Sequence, residues 1–227
     1  MSGNNLLVKI CGITSESDAL LAVSLGASAV GFVFAPSPRQ VSVQLAGDVA
    51  KRLPEHVLTV GVFRDEAPPR VVEAVHSAGL GAAQLHGHES AEETKWVRAR
   101  VPVVIKAFRA GEAAIGRFEE FGADFLMVDG ENPGSGQVFD WRLAEGVADP
   151  HRLIVSGGLR PDNVADAVAH LRPAGVDVCS GVEAAPGRKD PLLVHDFIAN
   201  ARRAAAEAGS LHDPGGEPGE PYDWRDG

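Results

Sequence analysis

Apolar and polar positions follow two different patterns along this chain. From residue 6 to about 206, short β-rich runs are separated by longer segments in which apolar residues recur at helical spacing. The runs predict eight strands: Leu6–Ile10, Ala29–Phe34, Leu58–Phe63, Ala82–Leu85, Val103–Ala107, Phe125–Val128, Leu153–Val155 and Val176–Val178. Because these runs are too apolar to face water on either side, they indicate a parallel sheet covered by helices.

A helical segment follows each predicted strand. Many of these segments start with Ser, Asp or Pro, which are favoured at helix N-termini. The predicted helices begin near Ser15, Ser42, Pro68, Ser90, Glu112, Trp141, Pro161 and Pro191. The chain therefore reads as eight consecutive βα units.

Eight βα units are the number that closes a (β/α)8 TIM barrel, and we predict this α/β fold as a catalytic domain over residues 1–206. A doubly wound open sheet is the alternative. Its dinucleotide-binding form has no support, because no G-x-G-x-x-G motif follows the first strand. Residues 207–227 are rich in Gly, Pro and acidic residues and predict a flexible tail, which could also dock on the barrel or on a partner.

Length, charge and cysteine content narrow the class of protein. A chain of 227 residues supports one domain better than two. No apolar run is long enough for a membrane span, and the N-terminus lacks a secretory signal pattern. Two separated cysteines fit a reducing compartment, and a net charge of −10 argues against a nucleic-acid partner. We expect a cytoplasmic protein with no membrane or nucleic-acid partner.

Reactive side chains stand at the ends of several predicted strands. Cys11 follows the first strand and Asp129 the sixth, while Arg39 and His86 follow the second and fourth. In a barrel these ends meet at one mouth, where a thiol and a carboxylic acid could serve as base and acid. For either residue taken alone, a core cysteine or a helix-capping aspartate is the competing interpretation.

An ordered series of motifs relates the chain to a known family. The motifs are Lys-Ile-Cys-Gly at 9–12, Gly-Phe-Val-Phe at 31–34, Ser-Pro-Arg-Gln-Val-Ser at 37–42, Gln-Leu-His-Gly at 84–87, Ile-Lys-Ala-Phe at 105–108, Gly-Ser-Gly at 134–136, Phe-Asp-Trp at 139–141, Ser-Gly-Gly-Leu at 156–159 and Gly-Val-Asp-Val-Cys-Ser-Gly-Val-Glu at 175–183. Over nearly all of residues 6–204 the chain resembles the phosphoribosylanthranilate isomerase family.

The resemblance implies an Amadori rearrangement in tryptophan biosynthesis that uses no cofactor and no metal. Its small-molecule substrate would be N-(5-phosphoribosyl)anthranilate, and its product 1-(2-carboxyphenylamino)-1-deoxyribulose 5-phosphate. The family pattern implies Cys11 as general base, Asp129 as general acid and Arg39 as the partner of the anthranilate carboxylate. The reaction then needs a protonated acid beside a thiolate, so positive charge is expected around Cys11.

The loops after the seventh and eighth strands are expected to hold the substrate phosphate. Their glycines let backbone N–H groups approach phosphate oxygens, and this position is a recurrent phosphate site in barrels. The candidates are Gly157, Gly158, Ser180 and Gly181. Further residues predicted to line the site, with shaping rather than acid or base roles, are His86, Gly134, Ser135 and Gly136.

Three further residues bear on the thiol. Lys9 and Lys106 lie in predicted strands and need acidic partners such as Asp177, and either could favour a thiolate at Cys11. Cys179 stands where the family usually has serine. Because strands one and eight are neighbours in a closed barrel, oxidation could join Cys179 to Cys11 and silence the enzyme.

Two other functions remain open from the sequence. One is the related ProFAR isomerase of histidine biosynthesis, which has an aspartate at the end of its first strand, where this chain has Cys11. The other is a non-catalytic barrel that binds a phosphorylated ligand or a partner, for which loss of the acid or the base would be expected. The sequence does not separate primary from specialised metabolism, and it favours a monomer only slightly over a homodimer.

Overall fold

Eight parallel strands close a barrel in the computed structural model, which describes residues 6–130 and 149–210. The barrel strands are β1 (Leu7–Ile10), β2 (Ala29–Val33), β3 (Leu58–Phe63), β4 (Ala82–Leu85), β5 (Val103–Arg109), β6 (Phe125–Asp129), β7 (Leu153–Val155) and β8 (Gly175–Val178). Closure comes from β8 pairing with β1, with Lys9 in register with Asp177. The predicted (β/α)8 barrel is thus confirmed, and the open sheet is excluded.

Helices cover the outside of the barrel. They are α1 (Glu16–Ser24), α2 (Val43–Ala50), α3 (Pro68–Ala78), α4 (Ala91–Arg98), α5 (Val164–Leu171) and α6 (Pro191–Ser210), with a 3-10 helix at Ala113–Phe121 after β5. A short antiparallel pair, β9 (Glu183–Ala185) and β10 (Arg188–Lys189), follows β8. No helix among the described residues is long and apolar enough to cross a membrane.

Local signals explain where most helices begin. Ser15, Ser42 and Ser90 each accept a backbone N–H of the first turn, and Ser90 forms a capping box with Glu93. Pro68 starts α3, where its missing N–H has no cost. These helix starts, predicted from sequence, are confirmed.

Two predicted helices differ from the structure, and one lies outside it. The segment after Glu112 forms a kinked 3-10 helix, with a non-helical backbone at Arg117. The helix expected near Pro161 begins at Val164, because Asn163 instead ties the preceding turn to Gly158 and Arg160. The predicted helix at Trp141 lies outside the described residues. So does most of the proposed tail; α6 itself runs to Ser210, past the proposed boundary at 206.

Side-chain alternation divides the core into two layers. Val8 and Ile10 pack outward against the helices, whereas Leu7 belongs to the apolar cluster inside the barrel. By the period of two along a strand, Lys9 and Cys11 also point inward, above Leu7. The inside of the barrel is therefore apolar below and polar towards the C-terminal mouth.

Candidate active site

Cys11 lies at the mouth, one residue beyond the end of β1. Its side chain is buried, and its backbone N–H donates to the carbonyl of Val178 on β8 at 2.8 Å. The next residue, Gly12, has φ of +71°, a left-handed conformation. A Cβ there would lie 2.7 Å from both Cys179 Sγ and Arg39 Cδ, so the turn requires glycine.

Positive charge surrounds the Cys11 sulfur, as the thiolate requires. A hydrogen bond with Cys179 and the charges of Lys9 and Lys189 lower the pKa of Cys11 to about 6, against the opposing effects of burial and of Asp177. The Lys9 ammonium is fully buried and lies 2.8 Å from Asp177 Oδ1. Burial opposes its charge, but Asp177 and the Cys11 sulfur hold the Lys9 pKa above its usual value.

Cys179 is the second thiol of the site. Its hydrogen bond to Cys11 and its burial hold the pKa of Cys179 well above the usual value, so Cys179 stays a neutral thiol. We assign the anion to Cys11 because Lys9 lies beside it, whereas Cys179 Sγ lies 4.0 Å from a Glu183 carboxylate oxygen. The predicted pairing of Lys9 with Asp177 is confirmed, and the charge of Lys9 also favours a lower pKa at Cys11.

Arg39 projects over the same mouth but is held by an acid. Its Nε and Nη2 donate to the two carboxylate oxygens of Glu183 at 2.8 and 2.7 Å. Lys189 Nζ and the Gly187 N–H also donate to Glu183 Oε1, at 2.9 and 3.3 Å. Burial alone would raise the pKa of Glu183, but Arg39 and Lys189 lower it below its usual value.

Asp129 ends β6, three strands from β1 around the barrel. One carboxylate oxygen, Oδ1, accepts the N–H of Gly130 at 2.8 Å, and the other lies 3.0 Å from His86 Nε2. His86 Nδ1 in turn lies 2.8 Å from Nε2 of Gln84 on β4. His86 therefore contacts the proposed acid directly, which agrees with a shaping role.

The two glycine-containing loops lie side by side at the ends of β7 and β8. Gly157 and Gly158 have φ of +83° and +70°, and their N–H groups donate to no other described residue. A Cβ at Gly157 would collide with Gly130 and Asp129, and one at Gly181 with the carbonyl of Leu159. Gly157 and Gly158 thus leave two backbone N–H groups without a described acceptor, next to the acid.

The structure brings most of the predicted site residues to one end of the barrel. Cys11, Arg39, His86, Asp129, Gly157, Gly158, Ser180 and Gly181 all lie at C-terminal strand ends or in the loops that follow. Gly134, Ser135 and Gly136 lie outside the described residues. Lys106 does not approach the thiol; it pairs with Glu89 at 2.8 Å.

Sequence reasoning missed Glu183, Lys189 and Gln84 as members of the site. The only signal for Glu183 was its place at the end of the last motif. Gln84 likewise opens the Gln-Leu-His-Gly motif at 84–87, whereas Lys189 carried no signal, because its contact with Glu183 arises only when the chain folds back after β8.

Comparison with known proteins gives a consistent match. Residues 8–200 match the family described as PRAI, N-(5'phosphoribosyl)anthranilate (PRA) isomerase. An N-(5'-phosphoribosyl)anthranilate isomerase from Desulforudis audaxviator is 47% identical over 87% of this chain and 98% of its own length. A crystal structure of phosphoribosyl anthranilate isomerase from Thermus thermophilus is also similar, with 39% sequence identity and a TM-score of 0.80. The match covers 86% of this chain and 98% of that chain.

A second solved structure holds a bound ligand. It is a phosphoribosyl anthranilate isomerase in complex with reduced 1-(o-carboxyphenylamino)-1-deoxyribulose 5-phosphate. This chain shares 40% identity with it and a TM-score of 0.77, over 87% of this chain and 99% of that one.

Proposed function

This chain belongs to the N-(5'-phosphoribosyl)anthranilate isomerase family, and we propose that Cys11 is the general base and Asp129 the general acid of the reaction. The chain is thus an isomerase of tryptophan biosynthesis. The observation that carries the two assignments is the sulfur of Cys11 beside the Lys9 ammonium, in the same barrel mouth as a buried carboxyl group on β6.

The two groups account for ring opening and for removal of the C2 proton; in the last step the C2 hydroxyl loses a proton and C1 gains one. Asp129 donates a proton to the furanose ring oxygen as the C1–O bond breaks, and the nitrogen lone pair forms a C=N bond. The Cys11 thiolate then removes the C2 proton, and the C2–H electrons form a C1=C2 double bond while the iminium nitrogen is neutralised. The resulting enolamine tautomerises to the ketone. One acid and one base suffice for these steps.

Substrate binding follows from the cations and backbone donors at the mouth. Arg39 is proposed to hold the anthranilate carboxylate, because a guanidinium can bind a carboxylate bidentately, as it does at Glu183. The N–H groups of Gly157 and Gly158, which donate to no other described residue, are proposed to hold the phosphate together with Ser180 and Gly181 in the adjacent loop. A chain of net charge −10 needs such local donors to bind a doubly anionic ligand.

Loss of anthranilate-group fluorescence on mixing with freshly made phosphoribosylanthranilate tests the assignment. Wild type should convert the substrate, and Cys11→Ala and Asp129→Asn should each lose about 10²–10⁴ in kcat, the usual contribution of one acid or base. Gln44→Met, a change on the exposed surface of α2, is the matched control and should keep full activity. Turnover retained by either active-site variant would refute that residue's role.

We also propose a monomer. The large apolar side chains exposed in the described part of the chain are Leu20, Leu45, Trp96 and Leu192, and they lie on four different helices. Four exposed apolar side chains on four helices supply little apolar surface for a stable interface. Analytical ultracentrifugation should give one species at the monomer mass of 23.8 kDa, and a dimer at micromolar concentration would contradict this.

A further inference from the structure

Gln84 is a buried glutamine of β4 whose amide is only half satisfied. Its side chain is 1% exposed, and its Nε2 lies 2.8 Å from His86 Nδ1. Its Oε1 is buried without a hydrogen-bond partner among the described residues. A buried carbonyl without a partner is costly, so this atom needs an explanation.

The hydrogen bonds of His86 fix where the protons lie. If the Gln84 amide nitrogen donates to Nδ1, a neutral His86 carries its proton on Nε2 and donates it to Asp129 Oδ2, 3.0 Å away. The other oxygen of Asp129 accepts from Gly130. In this arrangement Asp129 accepts on both oxygens as a carboxylate, and it has no proton to give.

Half a turn of the Gln84 amide reverses this arrangement. The turn exchanges Oε1 and Nε2 in nearly the same space. Oε1 then accepts from Nδ1–H of His86, and the bare Nε2 accepts the O–H of a protonated Asp129. Separations of 2.8 and 3.0 Å suit both arrangements. His86 is the amide's only described partner, so each orientation leaves other polar groups of the amide without a described partner: Oε1 and one N–H as it stands, and both N–H groups after the turn. The hydrogen-bond state of His86 and Asp129 therefore decides between the two orientations.

We propose that Gln84 is a positioning residue which, by accepting a hydrogen bond from Nδ1–H, fixes the tautomer of His86 that keeps Asp129 in its acid form. This rests on the proposed role of Asp129. In the resting enzyme the Gln84 amide has the turned orientation. The protonated Asp129 then donates its O–H to His86 Nε2 until the ring oxygen of the substrate takes the proton. After the transfer, Asp129 is a carboxylate. The amide orientation in which Gln84 donates to Nδ1 then suits it, because His86 can donate Nε2–H to Asp129.

The partial exposure of His86 allows the cycle to be reset. Its side chain is 23% exposed, so water can give the imidazole one proton; the imidazolium then passes its Nε2 proton to Asp129 and keeps Nδ1–H, which restores the resting state. Gln84, by contrast, is sealed inside the barrel and can act on Asp129 only through the imidazole.

The tautomer can be measured directly. Long-range 1H–15N correlation spectra of protein with 15N-labelled histidine distinguish protonated from bare ring nitrogens, and the signals of His86 are assigned by their loss in His86→Asn. Wild type without substrate should show a protonated Nδ1 and a bare Nε2. Gln84→Met keeps the side-chain length but removes both amide groups, and it should move the proton to Nε2. Gln44→Met should leave the spectrum of His86 unchanged.

Kinetics separate positioning from general packing. Gln84→Met should lower kcat about tenfold while KM changes little, because tenfold corresponds to about 1.4 kcal/mol of transition-state stabilisation, the strength of one hydrogen bond. A protonated Nε2 in resting wild type, or an unchanged tautomer in Gln84→Met, would overturn the inference, and the wild-type measurement stands even if the variant does not fold. Full turnover by Asp129→Asn would instead refute the proposed acid.

Discussion

Replacing Cys179 by alanine should move the working pH range of the enzyme upwards. With Cys11 as the proposed base, activity requires its thiolate, so the rate should fall as the pH drops through the pKa of Cys11, which is lowered to about 6. The hydrogen bond from Cys179 is the largest cause of that lowering. Its removal leaves burial and Asp177 opposing the charge, with Lys9 and Lys189 still favouring it.

The size of the effect follows from the strength of the lost bond. A hydrogen bond to a charged group contributes about 1.5–3 kcal/mol, which corresponds to about one to two pH units. The acid limb of kcat/KM, near pH 6 in wild type, should therefore lie about one to two pH units higher in Cys179→Ala. At high pH both proteins have the thiolate, and their rates should converge.

Cys179→Ser is the matched control, because a hydroxyl also donates a hydrogen bond to the thiolate. Its acid limb should stay close to that of wild type. The rate of alkylation of Cys11 by iodoacetamide, followed by mass spectrometry of its peptide, reports the thiolate fraction without substrate and should shift in parallel. An acid limb that does not move in Cys179→Ala would show that Lys9 and Lys189 set the charge alone, and one that moves equally in Cys179→Ser would show that the hydrogen bond is not the cause of the lowered pKa.

Three other outcomes are expected. Arg39→Lys loses a bidentate grip and should raise KM about 10- to 100-fold with a smaller change in kcat, measured by steady-state kinetics; an unchanged KM would contradict carboxylate binding. Peroxide should oxidise Cys11 and Cys179 to a disulfide, taking two electrons and two protons and forming water. The two residues follow neighbouring strands, which lie about 4.8 Å apart, a separation that a disulfide can bridge. Activity should fall and return with dithiothreitol, and no cross-linked peptide in mass spectra would rule this out. Lys106→Met removes the ion-pair partner of the buried Glu89 and should lower the free energy of unfolding, measured by urea titration, by about 3–5 kcal/mol. Adding Glu89→Gln should restore most of this loss, because it removes the unpaired charge.

The fold was predictable because local and global signals agree. Apolar runs that tolerate no water on either face indicate parallel strands, and serine caps at Ser15, Ser42 and Ser90 place the helices between them. The helix start at Pro161 was misplaced because a side chain, Asn163, organises the turn through contacts that have no periodic signature. Proline at a loop is compatible with several turn conformations.

The site was predictable only where a residue stands at a strand end. Cys11 and Asp129 follow from the barrel and from the motifs, since register brings strand ends together. Glu183 reaches Arg39, and Lys189 reaches Glu183, through the hairpin β9–β10 that folds back on the mouth, and no spacing in the sequence encodes these contacts. The sequence also cannot indicate where the protons lie in the hydrogen-bonded series Gln84, His86 and Asp129, because their positions depend on the orientation of one amide group.

The charges at the mouth explain how an acidic chain keeps a thiolate. Lys9 pairs with Asp177, and Arg39 and Lys189 pair with Glu183, so three cations and two anions form two groups that meet at Cys11 and Cys179. That cluster carries one excess positive charge in a water-poor environment, where uncompensated charge is unfavourable. A thiolate at Cys11 makes it neutral, whereas a thiol leaves it charged. The Cys11 anion is therefore the partner that the buried cations require, and a protein with net charge −10 can hold it because the balance is local.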